Sequence, residues 1–172
     1  NFEHPQFLAE PFIDIILQRQ GFKIIEKKLF KEDHSIFYAT KKIYDKKEIK
    51  FINKYYEYRK KYLEFIDYYK KFTEKINLKL QDFNGEVYLF GAHTFSQYLI
   101  SFGINQRKIK GILDNSQFKI GKRLYGTKFE VFHPNEIKNK KNIAVILKVA
   151  SYKKEIQDQL SQINSSTVFF SD

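Results

Sequence analysis

Two short apolar runs on either side of a glycine turn limit the folds open to this chain. The first run, residues 87–90, stops at Gly91, and the second, residues 109–113, stops at Asp114. Residues 95–102 between them have helical spacing. A strand, a glycine turn, a helix and a strand that ends in an acidic residue form the opening of a Rossmann-type βαβ unit. The pattern therefore predicts a parallel α/β module here.

The glycine turn departs from the dinucleotide-binding fingerprint. Gly91 is the one glycine in a segment where such binders have three, and Phe95 and Ser96 carry side chains where a pyrophosphate needs bare backbone. The sequence therefore predicts the fold without a standard NAD site.

The rest of the carboxyl-terminal block continues to alternate between strand and helix. This order predicts a small parallel sheet with helices on both faces. The predicted strands are 87–90, 109–113, 128–131, 143–149 and 168–170, and the predicted helices are 95–102, 134–138 and 152–163, the last with Ser151 as N-cap.

The amino-terminal block has a different pattern. Residues 5–20 have helical spacing and end at Gly21, which suits a C-cap, and residues 22–30 and 35–40 have strand character with a turn at 32–34. One helix and two strands cannot bury a core of their own. We therefore expect this block to be the end of a domain whose beginning lies outside this sequence.

Residues 45–83 contain no proline or glycine and carry a heptad stripe of large apolar side chains. The pattern predicts one long helix, or two joined near residues 73–77, packed on a neighbouring domain. A homodimer through this helix is a second expectation, and a nucleic-acid partner is not expected. The stripe comprises Phe51, Tyr55, Tyr58, Tyr62, Phe65, Tyr69, Phe72 and Ile76.

Composition narrows the function classes. The chain has no cysteine, and its four histidines are too far apart for metal-ligand spacing, so no metal site is expected. No apolar run is long enough to span a bilayer and no signal peptide opens the chain, which predicts a cytoplasmic protein without a membrane partner. Residues 105–148 hold 11 Lys or Arg against 3 Asp or Glu, within a formal charge of +11. This excess suits a phosphate-bearing ligand, although a lysine-rich solvated surface explains it equally well.

Five side chains of the third block are candidates for substrate binding. His93 opens the helix after the glycine turn, and Arg123 has the geometry to grip a phosphate. The alternatives are a helix-start histidine without a ligand role for His93, loop shaping by Asp114, Asn115 and Gly121, and core packing for Tyr125. The five candidates are His93, Lys119, Lys122, Arg123 and Tyr125.

Two motif series resemble a known family. One is Glu3-His4 at the head of a helix, and the other is Phe90-Gly91-Ala92, then Asp114-Asn115, then the series from Lys119 to Thr127. Together they resemble the C-terminal portion of the S-adenosylmethionine-dependent C-methyltransferases of nucleotide-linked deoxysugars and their relatives in bacterial surface-glycan clusters. The resemblance divides the chain into a methyltransferase-domain tail (1–42), a helical connector (43–84) and a Rossmann-like C-terminal domain (85–172).

The resemblance implies roles for the first residues. His4 would be the base that removes a proton from the sugar carbon, with Glu3 as its neighbouring carboxylate, although both could instead cap the helix. Asn1 stands where the family usually has tyrosine, so C- and O-methylation are both open. The family binds S-adenosylmethionine through a loop upstream of this segment, so we do not expect this chain alone to methylate. The alternative function is a non-catalytic interaction or dimerisation module.

Overall fold

The computed structural model describes residues 8–30, 35–44, 53–149 and 152–171. The chain divides into two compact units, residues 1–58 and residues 59–172. The predicted connector therefore lies partly in each unit. The predicted turn at 32–34 lies outside the described residues.

The first unit contains a helix and an antiparallel hairpin. Helix α1 is Glu10–Arg19, and strands β1 (Phe22–Phe30) and β2 (Ser35–Lys42) pair with a register shift at Ile24/Glu26. The helix begins later than predicted, because Leu8 and Ala9 are not helical and Pro11 stands in the first turn, where its missing N–H costs no hydrogen bond. Gly21 ends the helix with a φ of +79°, as predicted.

The apolar side chains of this first unit remain largely accessible. None of its described hydrophobic residues joins a buried core. The large apolar side chains that are exposed are Leu8, Phe12, Ile16, Ile25, Leu29, Phe30, Phe37, Tyr44, Tyr55 and Tyr56.

Helix α2 (Tyr55–Asp82) is one continuous helix, which decides between the two predicted arrangements. The carboxyl-terminal half of its aromatic stripe is buried in the core of the second unit, through Tyr69, Phe72 and Ile76. Thr73 Oγ1 donates a hydrogen bond to Phe102 O at 3.0 Å, which fixes this half in place. Earlier stripe residues such as Tyr62 are exposed, and the homodimer through them stays a prediction.

The second unit is built on a five-stranded parallel sheet in the order β5-β4-β3-β6-β7. Helices α2 and α3 (Thr94–Ser101) pack on one face, and α4 (Lys153–Ile163) packs on the other. The predicted doubly covered α/β sheet is thus confirmed. Its strands are β3 (Glu86–Phe90), β4 (Ile109–Leu113), β5 (Val131–Phe132), β6 (Ile143–Ile146) and β7 (Val168–Phe170).

Alternation along the strands explains the two-sided core. Val87 and Leu89 point to the face covered by α2 and α3, whereas Tyr88 and Phe90 point to the face covered by α4. Both sets are buried, which is why the strand is a continuous apolar run.

Several predicted boundaries in the second unit change. The strand expected at 128–131 is β5 at Val131–Phe132, because residues 128–130 turn back against residues 122–124 instead. Residues 134–137 form a 3-10 turn rather than an α-helix, and β6 ends at Ile146 rather than at residue 149. Helix α4 begins at Lys153, and Ser151 lies outside the described residues.

Candidate functional site

The strand order of the sheet reverses between β3 and β6. Open α/β sheets generally bind ligands outside the carboxyl ends of their strands at such a point. The segments that follow these two strands are residues 91–93 and residues 147–149.

The His93 side chain packs against Gly91 in the turn after β3. Gly91 has a φ of +94°, and its N–H donates to Leu113 O at 2.7 Å. A Cβ at Gly91 would lie 2.0 Å from His93 Nε2, so the imidazole occupies the space of a side chain at this position. Only glycine fits here, both for its backbone conformation and for its lack of a side chain.

His93 is the N-cap of α3. Its Nδ1 accepts a hydrogen bond from the Phe95 backbone N–H at 3.2 Å, and its ring meets the Phe95 ring edge-on at 5.4 Å between centroids. Ser96 Oγ donates to Gly91 O at 2.6 Å and closes the turn from the other side. The predicted candidate His93 therefore lies at the carboxyl end of β3 and caps the helix. Its part in substrate binding stays a prediction.

Asp114 fills the position that an anion would take at this turn. Its carboxylate is 8% exposed and accepts hydrogen bonds from Ala92 N at 2.7 Å and from Ser116 N at 2.8 Å. Lys119 Nζ lies 3.5 Å from the same carboxylate. The backbone N–H that would face a phosphate in a dinucleotide-binding turn thus donates to the chain's own aspartate.

Asp114 stands after the second strand of the unit, where a dinucleotide-binding site has an acidic residue. Each of its carboxylate oxygens accepts one backbone N–H, which ties Asp114 into the turn. Asn115 exchanges two amide hydrogen bonds with Gln159 of α4, at 2.8 and 3.0 Å. The Asp-Asn pair therefore shapes the loop after β4.

Residues 121–131 form a hairpin at the edge of the sheet. Gly121 N–H donates to Val131 O at 2.9 Å, and Val131 N–H donates to Lys122 O at 2.8 Å. Leu124 and Phe129 anchor the hairpin in the core. Its tip, residues 125–126, is exposed.

A cleft of about 720 Å³ lies between this hairpin and the end of α3. Arg123, Tyr125 and Lys128 line it from the hairpin, and Ile100 and Gln106 line it from the other side. Since Gln106 stands in the turn before β4 begins, the cleft is toward the amino end of that strand and away from the His93 turn.

The five predicted binding residues thus fall in two places. Arg123 and Tyr125 come together in the cleft, and Lys122 is exposed on the same hairpin. His93 and Lys119 lie instead at the carboxyl ends of β3 and β4. Sequence reasoning missed Lys128. Gly126 is the signal that could have found it, because a glycine here indicates a turn and would place Lys128 on the return arm of a hairpin. In the structure Gly126 has a φ of +73°.

Lys148 is a second residue that sequence reasoning missed. It follows β6, at the carboxyl end of the sheet, and its Nζ donates a hydrogen bond to the hydroxyl of Tyr68 in α2. The same ammonium lies 4.6 Å from the Tyr68 ring centroid and 5.5 Å from that of Phe72. The Lys148 ammonium and the two aromatic rings thus lie together, beside the point where the strand order reverses.

The opposite, amino end of the sheet carries a polar cluster. Tyr88 hydroxyl donates to Glu86 at 2.7 Å, and Lys140 Nζ lies 2.9 Å from Glu86 and 2.7 Å from Glu136. Burial raises the pKa of Tyr88 to about 12, and the hydrogen bond from Tyr88 lowers the pKa of Glu86. Because ligands of such sheets bind at the carboxyl end, we assign this cluster to stability.

The predicted catalytic pair, Glu3 and His4, lies outside the described residues. Within the described ranges no group of three or more His, Asp or Glu side chains could hold a metal ion. Also among those residues, no helix combines the length and apolar character needed to cross a membrane.

Comparison with known proteins gives the family. Residues 31–170 match the family model of the C-methyltransferase C-terminal domain, which covers well over half of the chain and supports a methyltransferase role. No curated protein and no solved structure matches the chain significantly. With its parallel sheet and its matching 31–170 segment, the chain belongs to the C-methyltransferase C-terminal domain family.

Proposed function

We propose that this chain is the C-terminal region of an S-adenosylmethionine-dependent methyltransferase that acts on a nucleotide-linked sugar or a surface-glycan precursor. The family match over residues 31–170 carries this proposal. In it, the Rossmann-like unit helps to hold the substrate and the cofactor binds elsewhere. The turn after Gly91 supports that division, since the Ala92 N–H, which could face a phosphate, donates to Asp114 instead.

The charge of the second unit supports a phosphate-bearing substrate. The basic excess of residues 105–148 includes Arg123 and Lys128, which line the cleft beside the hairpin. A nucleotide-linked sugar carries two phosphates, so a surface of this charge raises its local concentration.

His4 is the proposed base and Glu3 its neighbour. A neutral imidazole can accept the proton of a C–H bond that an adjacent carbonyl acidifies, while S-adenosylmethionine supplies the methyl group when bound. A nucleotide-linked keto-sugar suits this chemistry, because its carbonyl acidifies the neighbouring C–H bond.

The test is methyl transfer by a protein that carries this chain together with its cofactor-binding domain. His4→Ala should lower turnover by about 10²–10⁴-fold and leave cofactor affinity nearly unchanged. His133→Asn is the matched control, because His133 Nδ1 caps a 3-10 turn at Asn135 N and asparagine keeps an acceptor there. Full turnover in His4→Ala would contradict the catalytic assignment, and absence of methyl transfer to any nucleotide-linked sugar would contradict the proposed substrate class.

A further inference from the structure

The turn between α2 and β3 joins an asparagine to a glycine, at Asn84-Gly85. We propose that Asn84 is a site of spontaneous covalent modification, in which its side-chain amide is lost and the residue becomes aspartate or isoaspartate. The reaction needs only water and base, so it is independent of the methyl transfer proposed above.

The reaction passes through a succinimide ring. The backbone nitrogen of Gly85 gives up its proton to base and attacks Cγ of Asn84. A C–N bond forms, the bond from Cγ to the side-chain nitrogen breaks, and that nitrogen takes up a proton and leaves as ammonia. Water that then attacks Cγ restores the original backbone and leaves aspartate, whereas water that attacks the backbone carbonyl leaves isoaspartate. Glycine favours the ring because it has no side chain to hinder the approach of its nitrogen.

Packing requires glycine at position 85. A Cβ there would lie 2.0 Å from the carbonyl oxygen of Asn142. The N–H of the next residue, Glu86, donates to the same oxygen at 3.0 Å, where β3 begins to pair with β6. The fold therefore keeps, directly after Asn84, the residue type that favours ring closure.

The Asn84 side chain is exposed to water. Asn84 and Gly85 both lie outside helix and strand, and both are exposed. Within the part of the chain that the structure describes, neither the Asn84 amide nor the Gly85 N–H has a hydrogen-bond partner. The side chain can therefore turn onto the N–H that follows it without breaking a hydrogen bond.

Two other asparagines stand before a small residue, serine, and hydrogen bonds hold both of them. The Asn115 side chain exchanges amide hydrogen bonds with Gln159, and the Ser116 N–H that would have to attack it donates to Asp114 at 2.8 Å. The amide nitrogen of Asn164 donates to two backbone carbonyls, at 2.7 and 2.9 Å. The structure thus protects these two sites and leaves Asn84 open.

Isoaspartate would change the backbone at the start of β3. Its extra carbon enters the chain just before Gly85, where the backbone lies against the carbonyl of Asn142. The Glu86 N–H that donates to this carbonyl should then exchange faster with solvent. Aspartate at position 84 changes the charge but not the length of the backbone, so Asn84→Asp separates the two effects.

The experiment is prolonged incubation of the folded 172-residue chain at mildly alkaline pH, followed by peptide mapping with mass spectrometry. Loss of the amide raises the mass of a peptide by about one dalton. Asn84 should react at least about tenfold faster than Asn115, because ring closure at Asn115 must first release its hydrogen bonds to Gln159 and that of Ser116 to Asp114. In urea these hydrogen bonds are lost, so the ratio of the two rates should fall to that of matching short peptides. Asn84→Gln is the matched control, since glutamine would have to close a larger ring, and its peptide should keep the amide.

Three results would overturn the proposal. Asn84 keeps its amide in the folded chain for the time in which it loses it in urea, or Asn115 reacts as fast as Asn84 in the folded chain, or Asn84→Gln loses its amide as fast as the parent. Circular dichroism during the incubation shows that the chain remains folded. Hydrogen exchange of the Glu86 amide then compares the reacted chain with Asn84→Asp. Faster exchange in the reacted chain alone supports the lengthened backbone, and equal exchange in the two contradicts it.

Discussion

The two compact units place their apolar side chains in opposite ways. In the second unit, strands β3 and β6 are buried on both faces by helices, and Leu89 is 0% exposed. In the first unit, Leu29 is 56% exposed and Phe37 is 61% exposed, on strands where lysines and other polar residues interrupt the apolar ones. The continuous apolar runs of β3 and β6 are covered on both faces, and the mixed strands of the first unit are not. A sheet becomes a stable unit when helices cover it, which a single helix and a two-stranded hairpin cannot achieve for themselves.

Truncating one leucine to alanine in each unit tests whether the two units differ in packing. Leu89→Ala removes a fully buried side chain from the central strand and should lower the free energy of unfolding by about 2–5 kcal/mol. Leu29→Ala removes a largely exposed side chain from β1 and should change it by no more than about 0.5 kcal/mol. Urea unfolding followed by circular dichroism measures both variants. Equal losses in the two variants would show that the first unit is as tightly packed as the second.

An aspartate-to-asparagine pair tests the polar interactions of the two units. Asp114→Asn replaces one carboxylate oxygen with an NH₂ group, so Ala92 N–H or Ser116 N–H loses its acceptor, at a cost of about 1–3 kcal/mol. Asp14→Asn in α1 removes the charge that pairs with Lys27, which Glu10 also holds, and should cost less than about 1 kcal/mol.

Amide hydrogen exchange shows which N–H groups lose their acceptor in Asp114→Asn. We expect the Ala92 and Ser116 amides to exchange faster in Asp114→Asn, while amides of β6 keep their protection relative to global stability. Unchanged exchange at both amides would mean that the carboxylate does not hold the turn.

Most of the second unit could be predicted from its sequence, because its strands are continuous apolar runs separated by helical spacing. The run at 109–113 matches β4 residue for residue, and Gly91 marked the end of β3. The hairpin was harder. Phe129 and Val131 alternate as in any strand, and only the hydrogen bonds to Leu124 and Lys122 show that this arm pairs backwards. Antiparallel return over so few residues leaves no periodicity to detect.

The candidate site was only partly predictable for a related reason. The sequence placed His93 at the start of the helix after Gly91, and its capping hydrogen bond is local, but the hydrogen bond from Ala92 N–H to Asp114 joins two segments that are remote in sequence. Charge excess indicated a phosphate ligand, yet it did not separate Lys119, which is paired, from Arg123, which lines the cleft. Pairing of this kind is a tertiary property. The catalytic pair Glu3 and His4 stays a prediction.

The smallest expected difference in stability is between two glutamate variants, one in each unit. Each glutamate pairs with a lysine. Glu86 accepts a hydrogen bond from Tyr88, whose ring is fully buried in the core, and pairs with Lys140 at 2.9 Å. Glu10 pairs with Lys27 at 2.6 Å in the first unit, where none of the described hydrophobic residues is buried. Since the Glu86 side chain is partly exposed, solvent screens its pair, and Glu86→Gln should cost only about 0.5–1 kcal/mol at pH 7. Glu10→Gln should have a smaller effect on the same transition.

The pH dependence identifies the cause of the Glu86 effect. The hydrogen bond from Tyr88 and the charge of Lys140 lower the pKa of Glu86 in the folded state below the value of about 4.3 in the unfolded chain. Its stabilisation is therefore complete above that value and is lost as the pH falls through the lower folded pKa. Urea titrations at several pH values should show a parent–variant difference that is constant near neutrality and shrinks below about pH 4. Asp158→Asn on α4 is the control, since no described ion pair engages Asp158. A difference that persists undiminished to pH 2 would assign the effect to packing rather than to the charge of Glu86.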